Sequence, residues 1–315
     1  MTYRHALRRS LLRTITMFLL VLAGCTGMHA SGPQAPPESQ DHSLAGVIID
    51  ADGKTVGEQA LTDALQSADF AFIGEMHDNA DHHAIEADLI ASRLSRKPGS
   101  AVVFEMLDDS QQPLIRQLDA GDDLVAIRHK LAWPDKGWPL DTYGPLFQAT
   151  LANGSLVAGN IDKPLIGRLY EEGPAPLAGD PRFATVAMAS DATRQHLLDR
   201  IFEAHCGMQE RTSLSPMLTI QLAKDASMAD AMRRNAPALL IAGGEHVRRD
   251  TGVPSHLLAA MPQARMLVIQ LLEVPSGKQT ADDAVQSAGP ADYYWFTPAT
   301  EAKDACAGVT GRAAH

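Results

Sequence analysis

The sequence contains the pattern Gly-x-x-His twice, each time directly after a short apolar run. The first copy is G-E-M-H at 74–77 and the second is G-G-E-H at 243–246. A third apolar run, at 101–106, contains Glu105 near its end. Imidazole and carboxylate groups bind divalent metals and also serve as general acids and bases. His77, Glu105 and His246 therefore form a candidate metal or acid–base site.

These apolar runs have the composition of buried β-strands, and they alternate with helical patterns. Strands are expected at 47–50, 69–74, 101–106, 156–160, 238–243 and 266–272, with an edge strand at 293–297. Helical patterns cover 58–66, 82–94, 109–131, 143–153 and 191–235, the last interrupted near 206–207. Short apolar strands between helices are typical of a mainly parallel sheet covered on both faces. The predicted fold class is α/β, a mainly parallel sheet flanked by helices, with a helical insertion at 110–150 and 165–235.

Parallel strands present their carboxyl ends at one edge of the sheet, where ligands bind in open α/β folds. Both Gly-x-x-His turns should therefore project their histidines from the same edge. Glycine allows a sharp turn or the close approach of a ligand at these positions. Because a string as short as Gly-x-x-His is common, the prediction depends on its repetition after two strands and on the nearby carboxylate.

The first 25 residues have the features of a bacterial lipoprotein signal. Four arginines precede an apolar run at 15–23, which is too short to span a bilayer but has the length of a signal-peptide core. The run ends in L-A-G-C (22–25), which resembles the lipobox and implies cleavage before Cys25 and its acylation. An ordinary signal peptide is the alternative. The predicted organisation is a signal peptide at 1–24, lipidated Cys25 with a flexible tether at 25–43, and one domain at 44–315.

A lipid anchor at Cys25 predicts a cell-envelope lipoprotein. Thr26 rather than Asp follows the cysteine, which favours the outer membrane of a Gram-negative cell, facing the periplasm or the surface. Disulfides persist in such compartments. Cys206 and Cys306 are the two remaining cysteines. They are expected to form one disulfide, with two separate buried thiols as the alternative.

The composition and the motifs exclude several classes of protein. The formal net charge is −11, whereas a nucleic-acid-binding protein needs a basic surface that neutralises phosphates. The run apolar enough to enter a membrane is confined to the N-terminus, which excludes a multi-span transporter. The sequence has neither a Gly-x-Ser-x-Gly nor a His-Glu-x-x-His motif, which argues against two common hydrolase mechanisms.

Six sequence blocks resemble the ChaN-like haem-binding lipoproteins. They are G-E-M-H-D-N-A-D-H-H (74–83), V-F-E-M-L-D (103–108), Y-G-P-L-F (143–147), M-L-T-I-Q-L-A-K-D-A-S-M-A (217–229), A-G-G-E-H-V-R-R-D-T-G-V-P (242–254) and D-Y-Y-W-F-T-P (292–298). The similarity spans about residues 44–310, and the order of the blocks makes it specific. The family is similar to Tiki-type metalloproteases and erythromycin esterases, with which it shares the paired Gly-x-x-His.

The resemblance implies a haem-binding protein of bacterial iron or haem uptake. It implies a homodimer that encloses face-to-face haems, in which a tyrosine of one subunit binds each iron and a histidine of the other reaches the propionates. The implied partners are haem, a second copy of the chain, the membrane through the lipid anchor, and a TonB-dependent haem receptor or transporter. Nucleic acid is not among them.

Tyrosine oxygen is an established haem-iron ligand, and the sequence offers few candidates. Tyr143, in the Y-G-P-L-F block, is the predicted iron ligand. Tyr293 and Tyr294, in the C-terminal block, are the alternatives, whereas Tyr170 lies outside the blocks. For each tyrosine the structural alternative is a half-buried ring with a hydrogen-bonded hydroxyl.

The remaining candidate haem contacts are basic. His82 and His83 are expected to reach the propionates or the partner subunit, and Arg248 is expected to pair with carboxylates. His77, His246 and Glu105 are expected at the same cofactor site.

The competing hypothesis is a metal-dependent hydrolase or peptidase. In that case His77, Glu105 and His246 hold a divalent metal that activates water. A third hypothesis is a scaffold whose sheet edge binds nothing. Haem binding is the favoured hypothesis, and it assigns no catalytic residue.

Overall fold

The computed structural model describes residue 39, residues 41–134, 137–276 and 279–301, and residue 306. The predicted signal peptide, Cys25 and most of the tether lie outside these residues, so the lipoprotein signal and its anchor stay predictions. Within the described part of the chain, none of the helices combines the length and the apolar composition required to cross a membrane.

The described residues contain an eight-stranded sheet. Its strands are β1 Ile48–Asp50, β2 Thr55–Val56, β3 Phe70–Glu75, β4 Ala101–Asp108, β5 Ser155–Asn160, β6 Ala238–Gly243, β7 Met266–Glu273 and β8 Tyr293–Thr297. Their spatial order is β2-β1-β8-β7-β3-β6-β4-β5. The six strands from β8 to β5 are parallel to their neighbours, whereas β1 pairs antiparallel with β2 and β8. The predicted α/β class with a mainly parallel sheet is confirmed.

Helices connect the strands and cover both faces of the sheet. They are α1 Glu58–Ser67, α2 Ala80–Arg96, α3 Gln112–Ile115, α4 Leu124–Lys130, α5 Leu140–Asn153, α6 Lys163–Glu172, α7 Asp191–Ala204, α8 Ser215–Arg234, α9 Gly244–Val247, α10 Val253–Ala260 and α11 Ala281–Ala288. The continuous helix expected at 109–131 is wrong. A 3-10 turn, α3 and α4 replace it, because D-A-G-D-D at 119–123 is a turn sequence and Asp123 caps a new helix.

The core lies in two layers, one on each face of the sheet. Alternate residues of β3 show this division, since Ala71 and Ile73 pack into one apolar cluster and Phe70 and Phe72 into the other. The first cluster contains apolar residues of α1, α2 and α5, and the second contains those of α8 and α10. A third cluster lies in the helical insertion between α6, α7 and α8. The central strands β3, β4 and β6 are therefore buried on both faces, as their continuous apolar composition predicted.

Two details differ from the sequence-based expectation or extend it. The strand predicted at the edge, β8, is an interior strand, because the short hairpin β1–β2 covers it on one side. The first strand of that hairpin was predicted at 47–50, whereas the second, Thr55–Val56, was missed since it is only two residues long. Cys206 and Cys306 form a disulfide with their Cα atoms 5.7 Å apart, which links the helical insertion to the C-terminal segment.

Candidate functional site

The strand order brings the two Gly-x-x-His turns together. Strand β6 lies between β3 and β4, and the last residue of β3, Glu75, pairs with Gly243 at the end of β6. The loops that carry His77 and His246 therefore leave the sheet side by side. Glu105 lies on the neighbouring strand β4, at the same edge. The structure thus brings these side chains together at one edge of the sheet, as expected.

Each of the two histidines is held by a carboxylate. Nδ1 of His77 lies 2.8 Å from Oε1 of Glu75, and Nδ1 of His246 lies 2.5 Å from Oδ1 of Asp225. The opposite nitrogens face Glu105, with Nε2 of His246 at 3.2 Å and Nε2 of His77 at 4.0 Å from its oxygens. Carboxylates that fix one nitrogen of a histidine commonly orient the other for a metal or a substrate. The edge therefore holds two oriented imidazoles that converge on one carboxylate.

The charged groups at this edge hold a proton on His246. Burial lowers the pKa of His246, but the carboxylates of Glu105 and Asp225 outweigh it and raise the pKa to about 10. Burial in turn raises the pKa of Glu105, yet the charges of His246 and His77 bring it well below its usual range. At neutral pH, His246 is consequently an imidazolium between two carboxylates. A metal at its Nε2 would have to displace that proton.

Two glycines of the repeated motif permit this close packing. A Cβ on Gly74 would lie 2.4 Å from both Oε1 of Gln270 and a methyl of Val247. A Cβ on Gly243 would lie 2.9 Å from Nε2 of His77. Neither glycine has a positive φ. Close approach of neighbouring side chains, and not a left-handed turn, is therefore the reason for glycine here.

A cleft of about 670 Å³ opens at this edge. Its lining includes Glu75, His77, Gln221 and His246. The side chain of His77 is 39% exposed, so the cleft gives solvent and ligands access to it. The volume lies within the range of about 300–1,000 Å³ that is usual for small-molecule sites.

A second group of side chains lies behind Glu75. Its members, Glu75, His83 and Glu86, each offer one ligand atom, and these atoms all lie within 4.8 Å of one another. Asn79 caps α2 by accepting from the backbone N–H groups of Asp81 and His82. The cap fixes the start of the helix, and the i,i+3 spacing then places His83 and Glu86 on one face. We call this group the Glu75–His83–Glu86 cluster.

Tyr143, the predicted iron ligand, is fully buried between α5 and the strand ends. Its hydroxyl donates to Oε1 of Glu75 at 3.0 Å, and its ring packs edge-on against His83. Burial and the nearby carboxylates of Glu75 and Glu86 raise its pKa far above the ordinary value. Ferric haem would need the exposed and ionised oxygen. The hydroxyl of Tyr143 is thus directed at Glu75 inside the protein, and its role as haem-iron ligand stays a prediction.

His82 also differs from its prediction, because it is fully buried. Its Nδ1 accepts from the backbone N–H of Met76, and its Nε2 lies 2.9 Å from the hydroxyl of Thr297. Burial is the main cause that lowers its pKa to about 3. A neutral imidazole with both nitrogens hydrogen-bonded inside the protein has no group left for a propionate. His82 instead ties the first motif to the end of β8.

Three other candidates have structural partners. Arg248 is buried, and its guanidinium donates to the carboxylate of Asp250 and to the carbonyl oxygen of Ser287. Tyr293 is half-buried and packs against the first core cluster. The buried hydroxyl of Tyr294 bonds to the backbone on both sides, as an acceptor from Ala291 and a donor to Gly289. None of the three is among the residues that line the cleft.

Tyr170 is the tyrosine whose side chain the described structure exposes most. It lies on the last turns of α6 and is 56% exposed. Four residues later the chain enters the wall of an apolar cavity of about 570 Å³, lined by Pro174, Leu177, Phe183 and others. Tyr170 itself is not among the residues that line this cavity. Tyr170 is outside the family blocks, so the sequence patterns gave no reason to select it.

Sequence reasoning assigned no role to three acidic residues of the site. Glu75 is the last residue of a buried strand, Glu86 is an acid on the inner face of α2, and Asp225 is fully buried on α8. An ionisable residue inside an otherwise apolar face is the sequence feature that could have identified Glu86. Asp225 and Glu75 become recognisable only when the fold places them beside a histidine.

The comparisons with known proteins agree with this architecture. A family model described as "Haem-binding uptake, Tiki superfamily, ChaN" matches residues 61–257. Among solved structures, the fold is similar to one described as "Cofacial heme binding to ChaN of Campylobacter jejuni". That similarity has a TM-score of 0.65 and 21% identity, and covers 79% of this chain and 95% of the other.

Weaker structural similarities extend beyond that protein. The type III effector HopBA1 aligns with a TM-score of 0.43 and 14% identity over 75% of this chain and 91% of its own. A Bacillus cereus protein aligns with a TM-score of 0.36 and 12% identity over 71% and 74%. Neither similarity is strong enough to carry a functional argument. The comparison with curated proteins gives no match.

Proposed function

The chain belongs to the family of haem-binding uptake proteins of the Tiki superfamily that is named after ChaN, and on that premise we propose that it binds haem for bacterial iron or haem uptake. The proposal includes a dimer, in which two copies of the chain enclose haem through a tyrosine ligand. Cofacial haem binding is described for the ChaN protein of Campylobacter jejuni, which supports such an arrangement here.

We assign the iron ligand to Tyr170. A haem bound between two copies requires a tyrosine oxygen at the surface of each copy. Among the described tyrosines, Tyr170 is exposed whereas Tyr143 and Tyr294 are buried with hydrogen-bonded hydroxyls. The exposure of Tyr170 is the observation that carries this assignment. The phenolate is a hard anionic ligand suited to ferric iron.

A haemin titration followed by absorbance tests the proposal. The wild-type chain from residue 44 onward should bind haemin saturably, with the spectrum of high-spin ferric haem bound to tyrosinate. Tyr170→Phe should lose that spectrum, and Tyr143→Phe should keep it, because its hydroxyl is inside the protein. Tyr293→Phe is a further control with a half-buried ring.

Two results would contradict this assignment. Loss of binding in Tyr143→Phe alone would return the ligand to the Y-G-P-L-F block and would require α5 to move. Absence of saturable binding to the wild-type chain would remove haem as the ligand altogether. Sedimentation of the same samples tests the dimer, which should form when haemin is added.

The envelope location is part of the same proposal. The lipobox pattern at 22–25 supports a lipid anchor on Cys25 and, with Thr26 after it, the outer membrane. A TonB-dependent haem receptor or transporter is the partner that such a location favours. Cys25→Ser should abolish labelling by radioactive palmitate and release the protein from the membrane fraction. Retention of the label in Cys25→Ser would overturn the anchor.

A second function, metal-dependent hydrolysis, is favoured by the geometry at the sheet edge. His77 and His246 both direct Nε2 towards Glu105, and carboxylates hold the opposite nitrogens. A divalent ion bound there would supply an acidified water. The test is hydrolysis of a panel of esters and peptides, which should require added metal and be lost in Glu105→Gln. Haem binding by the same variant should persist.

A further inference from the structure

The Glu75–His83–Glu86 cluster contains polar atoms that the protein leaves without hydrogen bonds. In the described part of the chain, Oε2 of Glu75, Nε2 of His83 and both carboxylate oxygens of Glu86 are buried and have no hydrogen-bond partner. Glu86 itself is fully buried. A buried carboxylate without a hydrogen-bond partner is costly, because it loses its hydration without compensation, and a bound ion is one explanation for such a group.

The facing atoms of His83 and Glu75 lie close enough together to bind one ion between them. Nε2 of His83 and Oε2 of Glu75 lie only 2.8 Å apart, yet they do not meet hydrogen-bond geometry. The other oxygen of Glu75 is already occupied by the hydroxyl of Tyr143 and by Nδ1 of His77. Oε2 is therefore the oxygen that faces the imidazole of His83, with the carboxylate of Glu86 close to both.

The spacing suits a small cation. First-row divalent ions hold nitrogen and oxygen ligands at about 2.0–2.2 Å, so opposite ligands lie roughly 4 Å apart. The ligand atoms of the cluster lie within 4.8 Å of one another, and small side-chain rotations would close that difference. One imidazole and two carboxylates form a mixed ligand set of the kind that suits manganese, iron or zinc.

We propose that Glu75, His83 and Glu86 form a buried binding site for one divalent first-row transition metal ion, separate from the residues that face Glu105. Two carboxylates and a neutral imidazole would balance the charge of the ion. Glu75 is among the residues that line the cleft, so the site lies next to it. Tyr143 would orient Glu75 through its hydroxyl and is not a ligand in this assignment.

The alternative occupant of the cluster is a proton. Burial and the neighbouring charge of Glu75 raise the pKa of Glu86 well above its ordinary value, so the metal-free protein can hold Glu86 neutral. The titratable groups that face the cluster are His77, His82 and Tyr143. Proton and metal therefore compete, and metal binding should weaken as the pH falls.

Titration of the metal-stripped protein with Co²⁺ tests the site, because bound Co²⁺ absorbs visible light. The wild-type chain should bind Co²⁺ at this site, and Zn²⁺ should displace it. Glu86→Gln should weaken that binding by about 100-fold or more, since it removes a direct ligand. Asp88→Asn is the matched control, because Asp88 is an exposed acid on the same helix. His246→Gln separates this site from the sheet edge that faces Glu105.

The outcomes distinguish the possibilities. Binding that is lost in Glu86→Gln and retained in Asp88→Asn and His246→Gln supports the site. Binding that survives in Glu86→Gln but is lost in His246→Gln, or no binding in the wild type, overturns it. Thermal unfolding without metal checks the fold, because Glu86→Gln should be at least as stable as the wild type once a buried ionisable group is gone. Haemin binding of Glu86→Gln should be unchanged, so failure here is distinct from failure of the haem proposal.

Discussion

At the scale of single residues, the environment sets opposite charge states for histidines of the same sheet edge. His246 lies between two carboxylates, and its pKa is raised to about 10. His82 lies in the first turn of α2 with a backbone amide and a hydroxyl as partners, and its pKa is lowered to about 3. The first is a proton-holding group of the cleft. The second is a neutral part of the protein interior, although both come from motif blocks of similar appearance.

His82→Phe should destabilise the protein, because it leaves the N–H of Met76 and the hydroxyl of Thr297 without partners. We expect a loss of about 2–4 kcal/mol at pH 7. Below about pH 6.5 the unfolded chain protonates His82 while the folded chain does not, so the stability it contributes is lost as the pH falls towards 3. The gap between wild type and variant should therefore shrink by up to about 1.4 kcal/mol per pH unit.

Urea unfolding of both proteins at several values between pH 7 and pH 4 measures this gap. His129→Phe is the control, because His129 is exposed on α4 and its replacement should change stability by less than about 0.5 kcal/mol. A constant gap across the whole pH range would show that His82 is not held neutral in the folded protein.

At the scale of elements, the strand ends are the part of the site that the sequence predicts best. Continuous apolar runs followed by glycine predicted β3 and β6, and the repeated motif indicated that both ends carry histidines. Neighbour relations were not predictable, because the place of β6 between β3 and β4 depends on pairings between distant segments. Asp225 was missed for the same reason, since only the packing of α8 over the sheet brings it to His246.

The burial of Tyr143 is also determined at the scale of elements. Its motif block correctly placed the residue near the site, because Tyr143 bonds to Glu75. Its burial follows from the packing of α5 against α2, which no local pattern reveals. Tyr143 is therefore placed to orient Glu75, and the assignment of the iron ligand to the exposed Tyr170 is a proposal.

Gly243→Ala tests whether the imidazole of His77 packs directly against the end of β6. The backbone of Gly243 suits alanine, since its φ is −57°, but the added Cβ would overlap the imidazole of His77. We expect a loss of about 1–3 kcal/mol, the usual cost of an overpacked site. Gly167→Ala is the control, because a Cβ there meets nothing within 4 Å and lies in α6, where alanine should stabilise by up to about 1 kcal/mol.

Chemical denaturation gives both free energies, and the NMR signals of His77 report its displacement. Equal stability of Gly243→Ala and wild type, with unmoved His77 signals, would contradict the packing described for this strand end.

At the scale of the whole molecule, the disulfide and the proposed haem-binding dimer join parts that are distant in sequence or on separate chains. The disulfide between Cys206 and Cys306 spans a sequence separation of 100 residues, so it joins the helical insertion to the segment after β8. Two of the three cysteines remain once Cys25 is assigned to the lipid anchor, and this predicted the pair, although the distance between the residues could not be inferred from the sequence. The dimer with haem is a proposal that no feature of a single chain determines.

Replacing both cysteines with serine should lower the free energy of unfolding by about 4–5 kcal/mol, because the link limits the entropy of the unfolded chain. Comparison of oxidised wild type, reduced wild type and the double variant in urea measures the effect. Reduced wild type should match the double variant. A difference below about 1 kcal/mol would show that the link adds little to the fold.

The central claim is that the chain binds ferric haem through a surface tyrosinate, and resonance Raman spectroscopy of the haem complex tests it most directly. Excitation into the phenolate-to-iron absorption should show phenolate vibrations in the wild type and in Tyr143→Phe, and none in Tyr170→Phe. Phenolate vibrations that persist in Tyr170→Phe, or a wild-type complex that has none, would contradict the claim.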